Sequence, residues 1–239
     1  MKPKVVAIIQ ARMGSQRLPG KSIADLAGKP LLWHVLERVK RSQRIDEIVL
    51  ATTNKSADDV LAEIAKGCGV SSFRGAESDL VDRYYEAAKA HKADVVVRIC
   101  ADNPVLEPAE IDRIIEFHLQ GKNDFSSNTH NINGNEYPDG LGAEVFDFSK
   151  LEELWKITTD PRNREHPHTY FYEHPDQYRI GTVPCPAAFK RPDLKLDVNT
   201  PEELAFIRAI YEYWYPRKPA FHITDIIWWY DNIKSVTSP

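Results

Sequence analysis

The sequence predicts an α/β fold, a mostly parallel twisted sheet with helices on both faces. Three observations carry that prediction. Apolar runs of strand length occur at 5–9, 48–52 and 94–99, and they are near-continuous, as in strands covered on both faces. Between them lie segments whose apolar residues recur at helical spacing. Strand and helix alternate in this way over the first 120 or so residues, which is the pattern of parallel strands joined by crossover helices. In such sheets ligands bind beyond the carboxyl ends of the strands. The loops at 10–21, 52–54, 74–79 and 100–104 are therefore expected to share one crevice.

The elements follow in order. Val5 to Ile9 is the first strand. Leu31, Leu32, Val35, Leu36 and Val39 mark an amphipathic helix over about 30–42, with Pro30 as its first residue. A second strand covers 48–52. Ser56 caps a helix to about Lys66, ended by Gly67 and Gly69. Val70 to Phe73 is a short strand, Ser78 to His91 a helix and 94–99 a third strong strand. A helix from Glu107 to Leu119 follows. Asn123 to Pro138 is rich in Asn, Gly and Ser and reads as loops or short strands. A strand is expected at 143–146, a helix from Ser149 to Ile157, another over Asp160–Glu173, and a strand at 178–183. Thr200-Pro201-Glu202-Glu203 opens a helix to about Tyr213, and a last helix spans about Ile223–Asn232.

At 239 residues the chain can bury a substantial core as a single domain. Its net charge of −4 gives no bulk basic footprint for nucleic acid. Three scattered cysteines, Cys68, Cys100 and Cys185, suggest a reducing compartment without a disulfide framework. No apolar run approaches membrane-span length, and Met1-Lys2-Pro3-Lys4 leads into a strand, not a signal peptide. A cytoplasmic protein that engages neither membrane nor nucleic acid is expected.

The stretch Gln10-Ala11-Arg12-Met13-Gly14-Ser15-Gln16-Arg17-Leu18-Pro19-Gly20-Lys21 leaves the first strand carrying three cations, two glycines and a serine. Glycines let backbone N–H groups turn inward, and such rows beside Arg and Lys suit a nucleotide triphosphate. Gly20-Lys21-Ser22 is not the end of a P-loop. That pattern needs glycine at position 15, where Ser15 stands, and a helix opening directly, where Gly28-Lys29-Pro30 intervenes.

Ile8 to Arg12 together with Arg17-Leu18-Pro19-Gly20-Lys21 resembles the signature of sugar-acid cytidylyltransferases, the enzymes that activate 3-deoxy-octulosonate (Kdo) or sialic acid with CTP. The resemblance runs over nearly the whole chain and is nearest to the SpsF-like branch of spore-coat polysaccharide synthesis. It implies a Rossmann-like, GT-A-like nucleotidyltransferase with a smaller dimerisation arm, a homodimer, and a Mg²⁺ cofactor. Residues 123–190 or so would supply acceptor-site and arm segments. By the same resemblance Arg12 and Lys21 stabilise charge building on the leaving pyrophosphate. Arg17 matches the motif, and Ala11, Gly14 and Ser15 lie on the nucleotide. Thr52, Arg74 and Asp79 fall in segments that face the nucleotide in relatives.

Asp102, just after the third strong strand, is the expected metal ligand and a catalytic residue, since Mg²⁺ is held by one or two carboxylates plus phosphates and water. Ala101 stands where the family has glycine. Asp197 is the expected second ligand, in a segment resembling the family's Asp-x-Asp-Thr-Pro-Glu-Asp-Leu, with Asn199 in place of the second aspartate. Helix capping is the alternative for both Asp197 and Asn199.

On the acceptor side Tyr137, Asp139, Glu144, Arg164 and His166 lie in SpsF-like segments. Arg164 or His166 could face a sugar carboxylate, and Asp139 and Glu144 could bind hydroxyls. His166, His168 and His174 are expected to be solvated or capping histidines and not a zinc site. The aromatic runs at 211–215 and 228–230 are expected to serve core or subunit contacts. The function implied is transfer of CMP from CTP to a keto-sugar acid with release of pyrophosphate, in polysaccharide biosynthesis. Two rivals remain: a sugar-1-phosphate nucleotidylyltransferase, and a silent nucleotide-binding subunit of such a pathway.

Overall fold

The structure of the protein, a computed structural model, describes residues 2–129 and 134–234. Residues 130–133 of the stretch expected as loops or short strands lie outside the described residues, as does Met1.

In chain order the elements are β1 (Val5–Gln10), β2 (Asp25–Leu26), β3 (Lys29–Pro30), α1 (Leu31–Val39), β4 (Glu47–Thr53), α2 (Asp59–Gly67), β5 (Ser71–Gly75) and α3 (Leu80–Ala90). Then come β6 (Val95–Cys100), α4 (Pro108–Gly121), β7 (Phe125–Ser127), β8 (Glu144–Asp147), α5 (Phe148–Ile157), α6 (Pro161–Glu165) and α7 (Pro167–Glu173). The chain finishes with β9 (Ile180–Gly181), α8 (Pro201–Trp214) and α9 (Ile223–Trp229). Seven strands form one sheet in the order β5-β4-β1-β6-β8-β7-β9. The first four are parallel, whereas β8 runs antiparallel to both β6 and β7.

Alternation along the central strands feeds two cores. Val5, Ala7 and Ile9 of β1 join the apolar residues of α1, α2, α4, α8 and α9 on one face. Val6 and Ile8 join those of α3, α5 and α7 on the other. This is the period-two geometry of a strand covered on both sides. On α1, Leu31, Leu32, Val35, Leu36 and Val39 are all fully buried, each contributing roughly 1.5–3 kcal/mol over an exposed position. Tyr211 and Trp229 of the aromatic runs are core residues, while Trp228 is exposed.

Several boundaries differ from the sequence expectation for identifiable reasons. Pro30 ends β3 and stands before α1 as its N-cap, with an extended backbone, instead of opening the helix. α3 starts at Leu80 instead of Ser78, because Asp79 caps it, its side chain accepting from Asp82 N at 2.8 Å. The helix expected over 160–173 is two, α6 and α7. His166 precedes Pro167 and is forced out of the helical region, to φ −126° and ψ 80°. The strand at 178–183 shrinks to β9, and helical structure after Trp229 continues only as one wide turn, Tyr230–Lys234. Among the described residues no helix is long and apolar enough to cross a membrane.

Candidate active site

The loop leaving β1 is pinned before it reaches any ligand. Ala11 N donates to Ala51 O at 3.3 Å and Met13 N to the buried Asp58 carboxylate at 2.7 Å. Ser15 Oγ accepts from Leu18 N, and Gly20 N reaches back to Met13 O. Gly20 adopts φ +74°, a left-handed turn that favours glycine, and it swings Lys21 inward. Gly14 has no such conformation, and a Cβ there would make only an ordinary contact, 3.4 Å from Glu77 Oε1.

Lys21 is the hub. Its Nζ donates to Asp102 Oδ2 at 2.7 Å, to Val198 O at 2.8 Å and to Asn199 Oδ1 at 3.1 Å. Arg17 Nη2 donates to the same Asn199 oxygen at 2.8 Å, and Asn199 Nδ2 donates to Asp197. Asp102 in turn accepts Val198 N on its main-chain oxygen at 2.8 Å, which fixes the 196–199 segment against the end of β6. Gly140 closes over this segment at φ +81°. A Cβ there would lie 2.7 Å from Asp197 N, so only glycine fits.

Around this corner opens a cavity of about 740 Å³, within the range of ligand sites. Ala11, Arg12, Ser15, Arg17 and Lys21 line its middle, at the end of β1. Toward β5 and α3 it is walled by Glu77, Ser78, Leu80 and Arg83. Toward β6 and β8 the wall is Arg98, Cys100, Asp102, Glu165 and His166. The two walls differ in electrostatics. Arg98 Nη1 meets Glu144 Oε2 at 2.8 Å, and both side chains are 7% exposed. Gln10 Oε1 accepts from Arg98 Nε at 3.3 Å, and His168 Nδ1 lies 3.3 Å from the other Glu144 oxygen. Burial works against the charge on Arg98, but the facing Glu144 carboxylate holds the guanidinium firmly protonated. Burial pushes the Cys100 thiol up to about 12, so it is an inert wall. Burial, then His168, lowers the pKa of His166, which leaves it neutral at pH 7.

The remaining sequence-predicted residues are occupied elsewhere. Thr52 is fully buried and does not line the cavity. Arg74 donates to Thr53 O at 2.8 Å, to Lys55 O at 2.6 Å and to the Asp59 carboxylate, away from the opening. Asp79 caps α3 and pairs with Arg164, which also donates to Trp155 O at 2.9 Å. Tyr137 is fully buried, with Glu110 and Arg113 on its hydroxyl. Asp139 forms a backbone bridge to Lys195, and Glu144 is the buried partner of Arg98. Of the two cations expected for an acceptor carboxylate, Arg164 is thus engaged and His166 is uncharged.

Arg83, Arg98, Glu77 and Glu165 line the cavity and were not singled out by sequence. Two carried a signal. Arg98 is a charge inside an apolar strand, at the last inward position before Cys100. Arg83 lies three residues after Leu80, on the same helix face.

Comparison with known proteins places these features in context. A family model described as cytidylyltransferase matches residues 6–222. The spore coat polysaccharide biosynthesis protein SpsF of Bacillus subtilis is 33% identical over 213 residues, 87% of this chain and 86% of that protein. A 3-deoxy-manno-octulosonate cytidylyltransferase of Trichlorobacter lovleyi is 39% identical over 113 residues, 47% of this chain and 44% of its own. The solved structure of a cytidylyltransferase from Leptospira borgpetersenii superposes with a TM-score of 0.90 at 32% identity, covering 98% of this chain and 96% of that one.

Proposed function

The chain belongs to the cytidylyltransferase family, and from that membership we propose that it transfers CMP from CTP to a keto-sugar acid and releases pyrophosphate, as a step in surface or capsular polysaccharide biosynthesis. One observation carries the reading: Arg12, Arg17 and Lys21, all from one loop, line the same cavity as Asp102. The sugar hydroxyl attacks the α-phosphorus and gives up its proton to water or to the departing pyrophosphate, the bond to the bridging oxygen breaks, and charge grows on that pyrophosphate. Fixed cations at that oxygen stabilise the transition state more than the ground state. Arg17 is already oriented by Asn199, while Lys21, whose three N–H groups all have acceptors, acts through its charge or by exchanging one of those bonds. On the acceptor side Arg98 lines the cavity already paired with Glu144, so a sugar carboxylate would have to share its guanidinium, and neutral His166 can exchange hydrogen bonds with hydroxyls.

A divalent cation such as Mg²⁺ fits the corner of Asp102 and Asp197. Asp197 Oδ1 is buried without a hydrogen-bond partner, an orphaned acceptor that a cation would satisfy. Burial, then Asp139 and Glu203, pushes the Asp197 carboxyl up to about 6, as expected where negative charge lacks compensation. Among the described residues no three His, Cys, Asp or Glu side chains form a ready cage, so the ion would also draw on nucleotide phosphates. When bound, it would neutralise polyphosphate charge. A homodimer built through about 123–190 belongs to the same proposal, and sedimentation equilibrium tests it.

The deciding experiment is pyrophosphate release with Mg²⁺, offering each of the four nucleoside triphosphates against keto-sugar acids and sugar-1-phosphates. Release with CTP and a keto-sugar acid alone is expected. Release with a sugar-1-phosphate instead, or with no acceptor in the panel, would overturn the proposal.

A further inference from the structure

We propose that Arg83 reads the pyrimidine of the nucleotide, donating hydrogen bonds to the adjacent acceptors N3 and O2 of cytosine; this rests on the reading of CTP as substrate. Arg83 is only 4% exposed, yet it lines the cavity. Its Nη1 donates to Ala76 O at 2.7 Å, which aims the guanidinium. Its Nε is buried with no partner, and among the described residues no carboxylate forms an ion pair with it. A desolvated cation with no ion pair of its own is unfavourable, and burial draws the Arg83 pKa down, with Arg12 adding to the effect and Tyr84, Asp58 and Glu77 only partly offsetting it. The contrast is Arg98, whose charge is met by Glu144. The stem of Arg83 is held as well: a Cβ on Gly75 would come within 3.2 Å of its Cγ.

Something other than protein is left to complete this group, and its surroundings indicate what. Leu80, 6% exposed, lines the same wall, and the one carboxylate there, Glu77, is already paired with Lys55. Phosphates have Arg12, Arg17 and Lys21 further along the cavity. A flat neutral ring with paired acceptors suits a guanidinium fork beside the apolar Leu80. Arginine is a donor only. Cytosine N3 accepts, whereas uracil N3 carries a hydrogen and would face the guanidinium donor to donor. The same contact therefore recognises cytosine and rejects uracil, through an unpaired buried group in the wrong complex.

The test is calorimetric binding of CMP, UMP and inorganic tripolyphosphate to wild type, Arg83→Gln and Arg83→Lys, with thermal unfolding of each. Arg83→Gln is expected to weaken CMP at least about tenfold while UMP and tripolyphosphate hold, since only the base contact is lost. Arg83→Lys keeps the charge and loses the fork, so it should also fall in the CMP-to-UMP ratio. Unchanged CMP affinity in both variants, or equal losses for all three probes, would overturn the assignment. A wild type that binds tripolyphosphate but not CMP would overturn the CTP reading itself, before any variant is made.

Discussion

Replacing Glu144 with Gln keeps the shape of the side chain and removes the charge that faces Arg98. The pair is 2.8 Å apart and each side chain is 7% exposed, so water cannot take over for the missing carboxylate. Burial raises the pKa of Glu144, but Arg98 and then His168 more than offset this and hold it at about 2, against 4.5 for a free glutamate. The difference of about 2.5 units corresponds to about 3 kcal/mol at neutral pH. That lies at the lower end of the cost of breaking a buried ion pair. An unfolding entropy near 2.1 cal/mol/K per residue gives about 0.5 kcal/mol/K for this chain, so Tm should drop by about 6 °C. Calorimetry at pH 7 measures it. The folded-state pKa is depressed, so the contribution is complete above the free value and is lost as pH falls from 4.5 toward 2. The gap between wild type and variant should therefore close over that window. A drop below about 2 °C at pH 7, or a gap that persists in acid, would refute the reasoning. Arg98→Met with Glu144→Met should recover most of the loss, because neither partner is then left buried and alone.

The other expectations are simpler. Lys21→Ala should lower kcat/KM for CTP by about 10²–10³, and an unchanged value would reduce Lys21 to a loop tie. Asp102→Ala should abolish turnover while circular dichroism stays native; normal Mg²⁺-dependent turnover would remove it from the site. Asp197, with a raised pKa near 6, holds its proton in the folded state above the free value of 3.8. Without metal, stability should fall as pH rises through that interval, and the rise in Tm on adding Mg²⁺ should be present only above about pH 6. Arg164→Ala should lower Tm and leave both substrate KM values in place, because Arg164 holds Asp79 and main-chain carbonyls and does not line the cavity.

Much of this was legible in the sequence because it depends on local pattern. The apolar runs at 5–9 and 94–99 determine β1 and β6, and the loop from Ala11 to Lys21 announces its cations in consecutive letters. What failed to be legible depends on where a side chain finds its partner. Arg74, Asp79 and Arg164 stand in the right segments, yet each meets a closer protein acceptor or donor. Arg83 looks like one more charge on an amphipathic helix, since nothing in the letters shows that its neighbours leave it unpaired. Asn199 reads as a lost carboxylate, while the structure makes its amide the joint between Arg17, Lys21 and Asp197. The split of α6 from α7 was available in principle, because Pro167 forbids a helical His166.

The reversal of strand direction between β6 and β8 divides the sheet into an inner and an outer block. Four parallel strands drawn from residues 5–100 carry the loop cations and Arg83, and they are hydrogen-bonded to one another without help from later chain. The strands from 125–181 join through a single ladder, Val95–Arg98 against Glu144–Asp147. A graft could thus exchange the outer strands of one relative for those of another and alter the cavity wall toward β8 while the wall toward α3 is kept. One constraint travels with it. Arg98 belongs to the inner block and Glu144 to the outer, so a donor segment lacking an acid at 144 would strand a buried guanidinium. Change at one of those two positions therefore requires change at the other.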